Sequence, residues 1–503
     1  MVIQALKRAI LVWCWSLPLQ AAPGFIFLVG GGASRSPSGI DKPAQIEIFK
    51  AVLSQLKAGP RRDSKFCYID FHPQDDDSKA SVETLESQWQ QAGGEKSDIL
   101  YRSFPTIEAA NGGEADQIKY KCGIAYIPGG DQSVIRGLWK ESRLVQSLRM
   151  IYLSGGGLMG KSAGAAVLGT LGFFPEPTNE ASAAWASGQP RLAESELEHG
   201  FVFGPNAMFP LFYVETHTGD REREVRAAAL LALWNHKRSM TPSGFSPFAI
   251  LVDSDTGILL TFSNDRQVVG KVFGARAVEI LRPSDSAKSG VNQDGTPFYH
   301  GLRSDVLLDR DTITLDSHVP HVGQNHIQPS IEIDCLWPDE VKGNDWESVR
   351  KYSEFDVFAR TPAINQEQFI DLVDDAWLFG DIRFYGQRCG CGYWQGFSFS
   401  QDVGIVPNRL NLQRFLLGSR SVSFAVQVPE TSVWRRHGKN GAQLVASKGF
   451  GQSSIVTDVS KAIKRRVSRY IYTEYGANNP VLTGGWRGAT VHLLAPGDFL
   501  KIL

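Results

Sequence analysis

The chain has 503 residues, of which 42% are hydrophobic and 21% are charged, and its formal net charge at pH 7 is −1. This length exceeds what one hydrophobic core usually supports, so two domains are expected. The near-zero net charge gives no electrostatic reason to expect nucleic acid or an anionic membrane surface as a partner, and any recognition of charge must be local.

The N-terminus has the three parts of a secretory signal. Residues 7–8 are basic, residues 9–19 are apolar and residues 21–22 are small. Cleavage after Ala21 would give a secreted or periplasmic protein with no membrane association, because no later run is long and apolar enough to cross a bilayer. The alternative is a buried first helix, which Pro18 would break.

Cysteine usage does not indicate a metal site. Signal cleavage leaves an odd number of cysteines without the spaced pairs of a zinc site, and no metal or organic cofactor is predicted. Cys67 and Cys122 lie in apolar, strand-like runs and are expected to be buried thiols. In an oxidising compartment, Cys335 could pair with Cys389 or Cys391.

Short apolar runs alternate with a helical pattern after the signal. A strand-like run at 24–29 ends in the glycines at 30–32, and a helical pattern follows from about 43 to 56. Further strand-like runs lie at 65–71, 99–104 and 124–127. This alternation predicts an α/β fold with a doubly wound, mostly parallel sheet and flanking helices. Sites in such sheets lie beyond the carboxyl ends of the strands.

The pattern changes from about residue 249 to short strands and turns, and a linker-like stretch follows at 317–329. The mature chain is therefore divided into a first domain at 22–318 and a β-rich α/β C-terminal domain at 319–503. A weak internal repeat relates the two. The matching segments are 248–252 with 424–428, 271–274 with 448–451, and 301–308 with 485–494. The C-terminal domain is interpreted as a degenerate copy of the later half of the first, with chance similarity between β-rich segments as the alternative.

A nucleophile is predicted in the turn at 160–164. Its sequence, Gly-Lys-Ser-Ala-Gly, has the Gly-x-Ser-x-Gly spacing that permits a strained strand-to-helix turn and exposes the hydroxyl of Ser162. Backbone N–H groups near Ala163 would face a developing oxyanion. The alternative is a small-residue turn that only allows a helix to pack closely on the sheet.

Two further segments point to the same site. Residues 128–132, Pro-Gly-Gly-Asp-Gln, follow a strand-like run, so that Gly130 is expected to present a backbone N–H beside the nucleophile and Gln132 an amide to the substrate. His217 precedes an Ala/Leu-rich helix and is the predicted general base. The alternatives are an ordinary βα turn and a solvated helix start with a structural histidine.

In this order, the segments resemble the cyanophycinase and peptidase E family of serine exopeptidases. The glycines at 30–32, the turn at 129–132 and the elbow at 160–165 match that family's pattern in turn, with Lys161 in place of its threonine. Arginines follow His217 at Arg221, Arg223 and Arg226, with the spacing found in cyanophycinases. The resemblance covers roughly residues 25 to 315 and implies a fold like that of class I glutamine amidotransferases.

The resemblance implies an exopeptidase that hydrolyses amide bonds at aspartyl residues through an acyl-enzyme, and the signal-like N-terminus implies that it is secreted. Its substrate would be a peptide or a cyanophycin-like polymer. Arg221, Arg223 and Arg226 would bind substrate carboxylates, and Glu215 would receive a positively charged substrate group. The alternatives are a non-catalytic secreted binding protein derived from such a peptidase and a general dipeptidase of the same family. A homodimer is compatible with the sequence.

Two positions depart from the family pattern. Glu215 and Thr216 replace its Asp-Gln before the histidine, and Ser254 occupies the place of the glutamate that the resemblance implies as the triad acid. A serine does not supply the negative charge with which a carboxylate stabilises the imidazolium. Asp253 is predicted to substitute for that acid through a small register shift, and Asp255 is the alternative.

Overall fold

The structure is a computed structural model that describes most of the first half of the chain and separate strands of the second. The described ranges are 24–32, 41–73, 76–174, 197–203, 210–218, 223–237, 247–262, 267–292, 296–316, 330–333, 377–379, 382–387, 390–395, 422–427, 432–436, 441–446, 454–459, 461–472, 478–495 and 498–502. The predicted signal at 1–21, the predicted linker at 317–329 and Cys335 lie outside them.

The elements are named in chain order. The helices are α1 (Pro43–Ala58), α2 (Asp76–Gln91), α3 (Ile107–Asn111), α4 (Gly113–Lys121), α5 (Gln132–Trp139), α6 (Arg143–Leu153), α7 (Ala163–Ala166) and α8 (Glu224–His236), with a 3-10 turn at Lys96–Asp98. The strands of the first half are β1 (Phe25–Val29), β2 (Lys65–Asp70), β3 (Ile99–Ser103), β4 (Cys122–Ile127), β5 (Gly157–Lys161), β6 (Leu171–Phe173), β7 (Leu197–His199), β8 (Phe212–Thr216), β9 (Phe248–Val252), β10 (Thr256–Phe262), β11 (Gln267–Gly274), β12 (Val278–Val291), β13 (Pro297–Leu307) and β14 (Thr312–Asp316). The later strands are β15 (Ser330–Ile333), β16 (Trp377–Phe379), β17 (Ile382–Gln387), β18 (Gly390–Gln395), β19 (Val422–Gln427), β20 (Ser432–Arg436), β21 (Gly441–Ala446), β22 (Ser454–Asp458), β23 (Ile463–Tyr472), β24 (Asn478–Leu494) and β25 (Phe499–Ile502).

The first sheet contains the strands that the sequence predicts. Its order is β14-β11-β10-β1-β5-β4-β2-β3. Strands β1, β5, β4, β2 and β3 are parallel to one another, whereas β10, β11 and β14 are antiparallel additions at one edge. The predicted α/β character, the strand runs and the helix beginning at Pro43 are confirmed.

A second, mostly antiparallel sheet joins the two predicted domains. Its order is β18-β17-β19-β22-β24-β13-β12-β9-β8-β6-β7, and β23 pairs with β24 beside this path. A smaller sheet has the order β15-β25-β21-β20-β16. From residue 330 onward the described elements are strands, and β24 pairs directly with β13 of the first half.

Helices cover the outer faces of the two large sheets. Apolar residues of α1 and α2 pack on one face of the first sheet, where Ile48, Phe49 and Trp89 are buried against the strands. The opposite face contributes to a core shared with β8, β9, β12 and β13 of the second sheet. The far side of the second sheet is covered by α8, whose residues from Arg226 to Asn235 are all buried. A helix that is apolar all round is typical of such an interior position.

Cys67 and Cys122 form a disulfide, which corrects the expectation that they are buried thiols. They lie on the adjacent strands β2 and β4, with their Cα atoms 5.6 Å apart. The sequence reveals that each lies in an apolar strand but not that the two strands are neighbours. Disulfides persist in oxidising compartments and are rare in the cytosol.

Replacing both cysteines, Cys67→Ala with Cys122→Ala, is expected to lower the free energy of unfolding. The bond closes a loop across a sequence separation of 55 residues, and the chain-entropy relation for such a loop gives about 4 kcal/mol. Denaturant unfolding of the two proteins measures the difference. Reducing the wild-type protein should bring its stability close to that of the double variant, and equal stability of the oxidised wild type and the variant would contradict the expectation.

Among the described residues, no helix combines the length and the apolar character needed to cross a membrane.

Candidate active site

The glycine segment that follows β1 joins three loops at the carboxyl ends of the strands. The Ser162 N–H donates to the carbonyl of Val29 at 2.8 Å, and the His217 N–H donates to the carbonyl of Gly30 at 3.0 Å. The Asp255 N–H donates to the next carbonyl at 3.1 Å. These backbone bonds bring the ends of β5, β8 and β9 to one point, at the edge where sites of parallel α/β sheets lie.

Ser162 and His217 form a hydrogen-bonded pair. Ser162 Oγ lies 2.7 Å from His217 Nε2. Ser162 has φ 53° and ψ −119°, and His217 has φ 53°. Non-glycine residues held at such angles cost about 1–3 kcal/mol each and cluster at functional sites. The elbow therefore has the strained turn that its sequence predicts, and it presents the hydroxyl to a basic nitrogen.

Gly31 makes room for the imidazole of His217. Its φ is +120°, and a Cβ at this position would lie 2.2 Å from Cε1 and 2.3 Å from Nε2 of the ring. Glycine is thus needed here both for the backbone angle and for the close approach of the ring. The glycine segment predicted after β1 therefore makes room for the ring of His217.

The second nitrogen of His217 meets a hydroxyl. Nδ1 lies 3.1 Å from Ser254 Oγ, and Ser254 is 1% exposed. Asp253 is fully buried just before it, and its backbone N–H donates to the carbonyl of Ala277. The Ser254 hydroxyl therefore lies at Nδ1, and the role of Asp253 as the triad acid stays a prediction.

Asp255 is held by the start of α1. Its carboxylate accepts from Lys42 Nζ at 2.8 Å and from Gln45 Nε2 at 3.1 Å. All three side chains are buried, and Asp255 has φ 55°. The alternative triad acid is thus engaged in an ion pair on the α1 side of the site.

Lys161 lies close enough to Lys42 and Asp255 for both charges to act on its pKa. Burial lowers the pKa of its ammonium group to about 8, Asp255 acts in the opposite direction, and Lys42 lowers it further. Below pH 8 Lys161 therefore adds a positive charge beside the ion pair of Lys42 and Asp255. The sequence shows Lys161 as a departure from the family threonine, but no local pattern marks Lys42, which lies far away in the chain.

The predicted oxyanion donors lie in two turns that adjoin the serine. A Cβ on Gly129 would lie 3.2 Å from Cβ of Ser162, so the two backbones are in close contact. Gly130 has φ +147°, and Ala163 is the first residue of α7. The first N–H groups of a helix have no acceptor within it and point outward. Gly130 follows Gly129 in the chain and Ala163 follows Ser162, so their N–H groups remain the candidate oxyanion donors.

Gln132 has a structural contact in this arrangement. It is buried at the first position of α5, and its Nε2 donates to the backbone carbonyl of Phe173 at 3.0 Å. Asp131 precedes it as the N-cap and accepts from the Ser133 N–H at 2.7 Å. The amide predicted to meet substrate therefore ties α5 to β6.

Glu215 and two of the predicted arginines form a buried network behind His217. Arg226 donates to both Glu215 oxygens, at 2.9 and 2.7 Å, and Arg223 donates at 3.2 Å. The Tyr213 hydroxyl adds a fourth bond at 2.7 Å. Burial would raise the pKa of the Glu215 carboxyl, but the two arginines outweigh it and hold that pKa below its usual value. Arg221 lies outside the described residues.

This network bears on the substrate-binding roles predicted for Glu215 and for the arginines. Glu215 is 2% exposed and already receives two guanidinium groups, so the positive group that it meets comes from the protein itself. Arg226 is equally buried, and its bonds to Glu215 raise the pKa of its guanidinium despite burial. The two guanidinium groups therefore share the Glu215 carboxylate.

His72 is a further polar side chain at this edge that the sequence does not mark. Its Nδ1 lies 2.9 Å from Asp70 Oδ1, and the residue follows β2. A Cβ on Gly130 would lie 3.2 Å from its Nε2. The position just beyond a parallel strand is the only signal that points to it. Within the described residues, no group of His, Cys, Asp and Glu side chains could hold a metal ion.

The fold and the site together define an α/β protein with a serine and histidine pair at the carboxyl edge of its parallel strands. Comparison with models of protein families gave no match, and neither did a search of curated proteins. Among solved structures, the chain is similar to a peptidase from an acI-B1 Actinobacterium, with 18% identity and a TM-score of 0.39 over 59% of this chain and 98% of that one. It is also similar to a putative peptidase E protein from Listeria monocytogenes EGD-e, with 13% identity and a TM-score of 0.28 over 50% and 98%. Both similarities are too distant to assign a family.

Proposed function

We propose that the protein is a serine hydrolase that cleaves amide bonds, with Ser162 as nucleophile and His217 as general base. The observation that carries the proposal is the 2.7 Å contact between Ser162 Oγ and His217 Nε2 on a strained turn. Strain of this kind persists only where the surrounding structure enforces it, and here it holds a hydroxyl beside a base.

The reaction would proceed through an acyl-enzyme. His217 Nε2 takes the proton of Ser162 as Oγ attacks the carbonyl carbon of the substrate, and backbone N–H groups of Gly130 and Ala163 donate to the oxyanion. The imidazolium then gives its proton to the leaving amine. Water enters, is deprotonated by the same nitrogen, and releases the acid while Ser162 recovers its proton.

Ser254 determines how strongly the base is supported. Its hydroxyl, 3.1 Å from Nδ1 of His217, can accept the Nδ1–H and thereby hold the tautomer that leaves Nε2 free to act as a base. It brings no negative charge to the imidazolium that forms in the reaction. We therefore propose a slow hydrolase, with turnover below that of enzymes with a complete charged triad.

The charges around the pair favour an acidic substrate. Two lysines, Lys42 and Lys161, lie around Asp255, and two arginines, Arg223 and Arg226, bind Glu215. Both groups belong to segments that adjoin the catalytic residues. An aspartyl peptide, or a polymer with an aspartate backbone such as cyanophycin, has the complementary charge. The disulfide and the signal-like N-terminus support export of the enzyme.

Labelling with a fluorophosphonate probe tests the proposed function. The probe phosphonylates a serine only when its hydroxyl is activated, so the wild-type protein is expected to gain one probe on the peptide that contains Ser162. The Ser162→Ala and His217→Ala variants should remain unlabelled, and Ser286→Ala, which removes an exposed hydroxyl in β12, should label normally. A wild-type protein that does not react would instead be a binding protein derived from a peptidase.

The Lys161 charge predicts a pH dependence that is specific for acidic substrates. Because burial lowers the pKa of Lys161 to about 8, its positive charge is present below pH 8 and is lost above it. KM for an aspartyl substrate is therefore expected to rise between pH 7 and pH 9, and KM for a neutral analogue should not. Steady-state kinetics across this range provide the measurement.

The control for the pH dependence is Lys161→Arg, which stays charged and should remove the rise in KM. Lys161→Met should show the high KM at every pH. An equal rise for both substrates in the wild-type protein would attribute the effect to another group.

A further inference from the structure

We propose that the C-terminal strands are a second copy of the unit that completes the active site, and that this copy occupies the position of a partner subunit. The first unit is residues 248–316, from β9 to β14, and it supplies Ser254 between β9 and β10. The second unit is residues 422–502, from β19 to β25. The inference is independent of the catalytic proposal.

In both units, successive strands alternate between two sheets in the same order. In the first unit, β9 lies in the second sheet, β10 and β11 in the first, β12 and β13 in the second again, and β14 in the first. In the second unit, β19 lies in the second sheet, β20 and β21 in the small sheet, β22 and β24 in the second again, and β25 in the small sheet. The additional strand β23 forms a hairpin with β24.

Each strand also has the equivalent neighbour. The pairs β9 with β12, β12 with β13, β10 with β11, and β11 with β14 are all antiparallel. Their counterparts β19 with β22, β22 with β24, β20 with β21, and β21 with β25 are antiparallel too. Beyond the units, β10 lies against β1 and β20 lies against β16, again antiparallel. Six strands therefore repeat in order, direction and neighbours.

The two units meet through β13 and β24 with two-fold symmetry. Arg303 pairs with Thr490 at the centre of the contact. On one side lie the pairs Leu302 with Val491 and Tyr299 with Leu493, and on the other Ser304 with Ala489 and Val306 with Trp486. Exchanging the two strands converts each pair on one side into its counterpart on the other. An interface in which equivalent residues exchange roles in this way is the type that joins identical subunits.

Both strands bulge at equivalent positions. Gly301 in β13 has φ +80° and Gly488 in β24 has φ +73°. The Gly301 N–H donates to Nδ1 of His492 at 3.2 Å, and the Gly488 N–H donates to Oδ1 of Asp305 at 2.8 Å. His492 and Asp305 are themselves equivalent. Burial lowers the pKa of His492 to about 3, so its ring is neutral and can accept.

The turn after each of these strands repeats as well. The Leu308 N–H donates to Oδ2 of Asp311 at 2.8 Å, and the Ala495 N–H donates to Oδ2 of Asp498 at 2.8 Å. In return, the Asp311 N–H reaches the carbonyl of Leu308 at 2.9 Å, and the Asp498 N–H reaches the carbonyl of Ala495 at 3.0 Å. Strands β14 and β25 begin directly after these aspartates.

Reciprocal contacts connect each bulge to the turn of the other unit. His300, beside Gly301, lies 3.2 Å from Asp498 through Nε2. Arg487, beside Gly488, donates to the carbonyl of Thr312 at 2.8 Å. The structure therefore matches Gly301 with Gly488, whereas the sequence comparison matched it with Gly485. Residues 248–252 and 424–427 of the sequence repeat lie in the equivalent strands β9 and β19.

The second unit acts as a fixed partner. In the described part of the chain, β16 is the last strand of the small sheet. Its counterpart in the first sheet is β1, which pairs in turn with β5, the strand that leads to Ser162. Without β24, the backbone N–H and C=O groups along β13 would be exposed at a sheet edge, which is a template for pairing with another chain. The covalently attached copy covers that edge and thereby supports the unit that carries Ser254.

Paired cysteines test the symmetric contact in the full chain. Leu302→Cys with Val491→Cys and Ser304→Cys with Ala489→Cys are equivalent pairs, so both are expected to form intrachain disulfides in comparable yield. Leu302→Cys with Leu494→Cys is several residues out of register and should not form one. Non-reducing electrophoresis and peptide mapping distinguish the products. The inference is overturned if either pair forms a disulfide between two chains, if only one of the two pairs forms a disulfide, or if neither pair does.

A second set of variants tests the equivalent bulges without new bonds. Gly301→Ala and Gly488→Ala should each lower Tm by a few degrees, because alanine is strained at positive φ. Gly137→Ala, in a helix with open space around its Cα, is the control and should not lower Tm. If Gly488→Ala leaves Tm unchanged, the two bulges are not equivalent and the inference fails.

Discussion

Replacing Ser162 by alanine is expected to lower kcat/KM for an amide substrate by about 10³-fold or more. The loss should be smaller than the roughly 10⁶-fold effect seen when a complete triad loses its serine, because the Ser254 hydroxyl at Nδ1 of His217 carries no negative charge. Fold stability should change by no more than about 1 kcal/mol, since the variant loses a single neutral hydrogen bond at a partly exposed position. Steady-state kinetics and denaturant unfolding of the same preparations provide both numbers.

The exposed Ser286→Ala variant is the matched control and should keep full activity. If Ser162→Ala keeps normal turnover, Ser162 is not the nucleophile. A variant that fails to fold would show a structural role for the hydroxyl, which its partial exposure argues against.

Ser254→Glu is expected to raise activity. Its carboxylate would replace the hydroxyl 3.1 Å from Nδ1 of His217 and stabilise the imidazolium formed in the reaction. Removing such a charge from a complete triad lowers turnover about 10⁴-fold, so restoring it could raise kcat/KM by up to about that factor. The acid limb of the pH profile should move to higher pH, because a carboxylate raises the pKa of the base beside it.

The neutral variant Ser254→Gln separates charge from size. It has the shape of the glutamate without its charge and should show neither the gain nor the shifted pH profile. Because the site is fully buried, the shorter Ser254→Asp is a useful second variant if the longer side chain overpacks the site. Equal activity of the Glu and Gln variants would mean that imidazolium stabilisation does not limit the rate.

The parallel half of the fold was predictable because its signals are local. Short apolar runs located β1, β2, β3 and β4, and the spacing around Ser162 predicted the strained elbow. The rest depends on contacts between distant segments. The sequence places Ser254 at the position of the family's glutamate, but only the fold shows that its hydroxyl contacts the imidazole. Lys42 reaches Asp255 from the start of α1, which no local pattern reveals.

The later strands show the same limit. The sequence repeat located the matching regions but set Gly301 against Gly485, because short apolar segments align almost equally well in several registers. Positive φ angles, absent from the sequence, identify Gly488 as the equivalent residue. Cys67 and Cys122 likewise read as separate buried residues until the order of β2 and β4 places them side by side.

The close approach of Gly31 to the imidazole also bears on how the base moves. The ring of His217 is bounded by the Gly31 backbone on one side and held at its two nitrogens by Ser162 and Ser254. It therefore has little freedom to turn between the two halves of the reaction. The same nitrogen must receive a proton from the nucleophile and hand it to the departing amine, so the leaving group has to exit past Nε2. A substrate whose leaving amine cannot lie beside Nε2 of His217 would be bound without being cleaved.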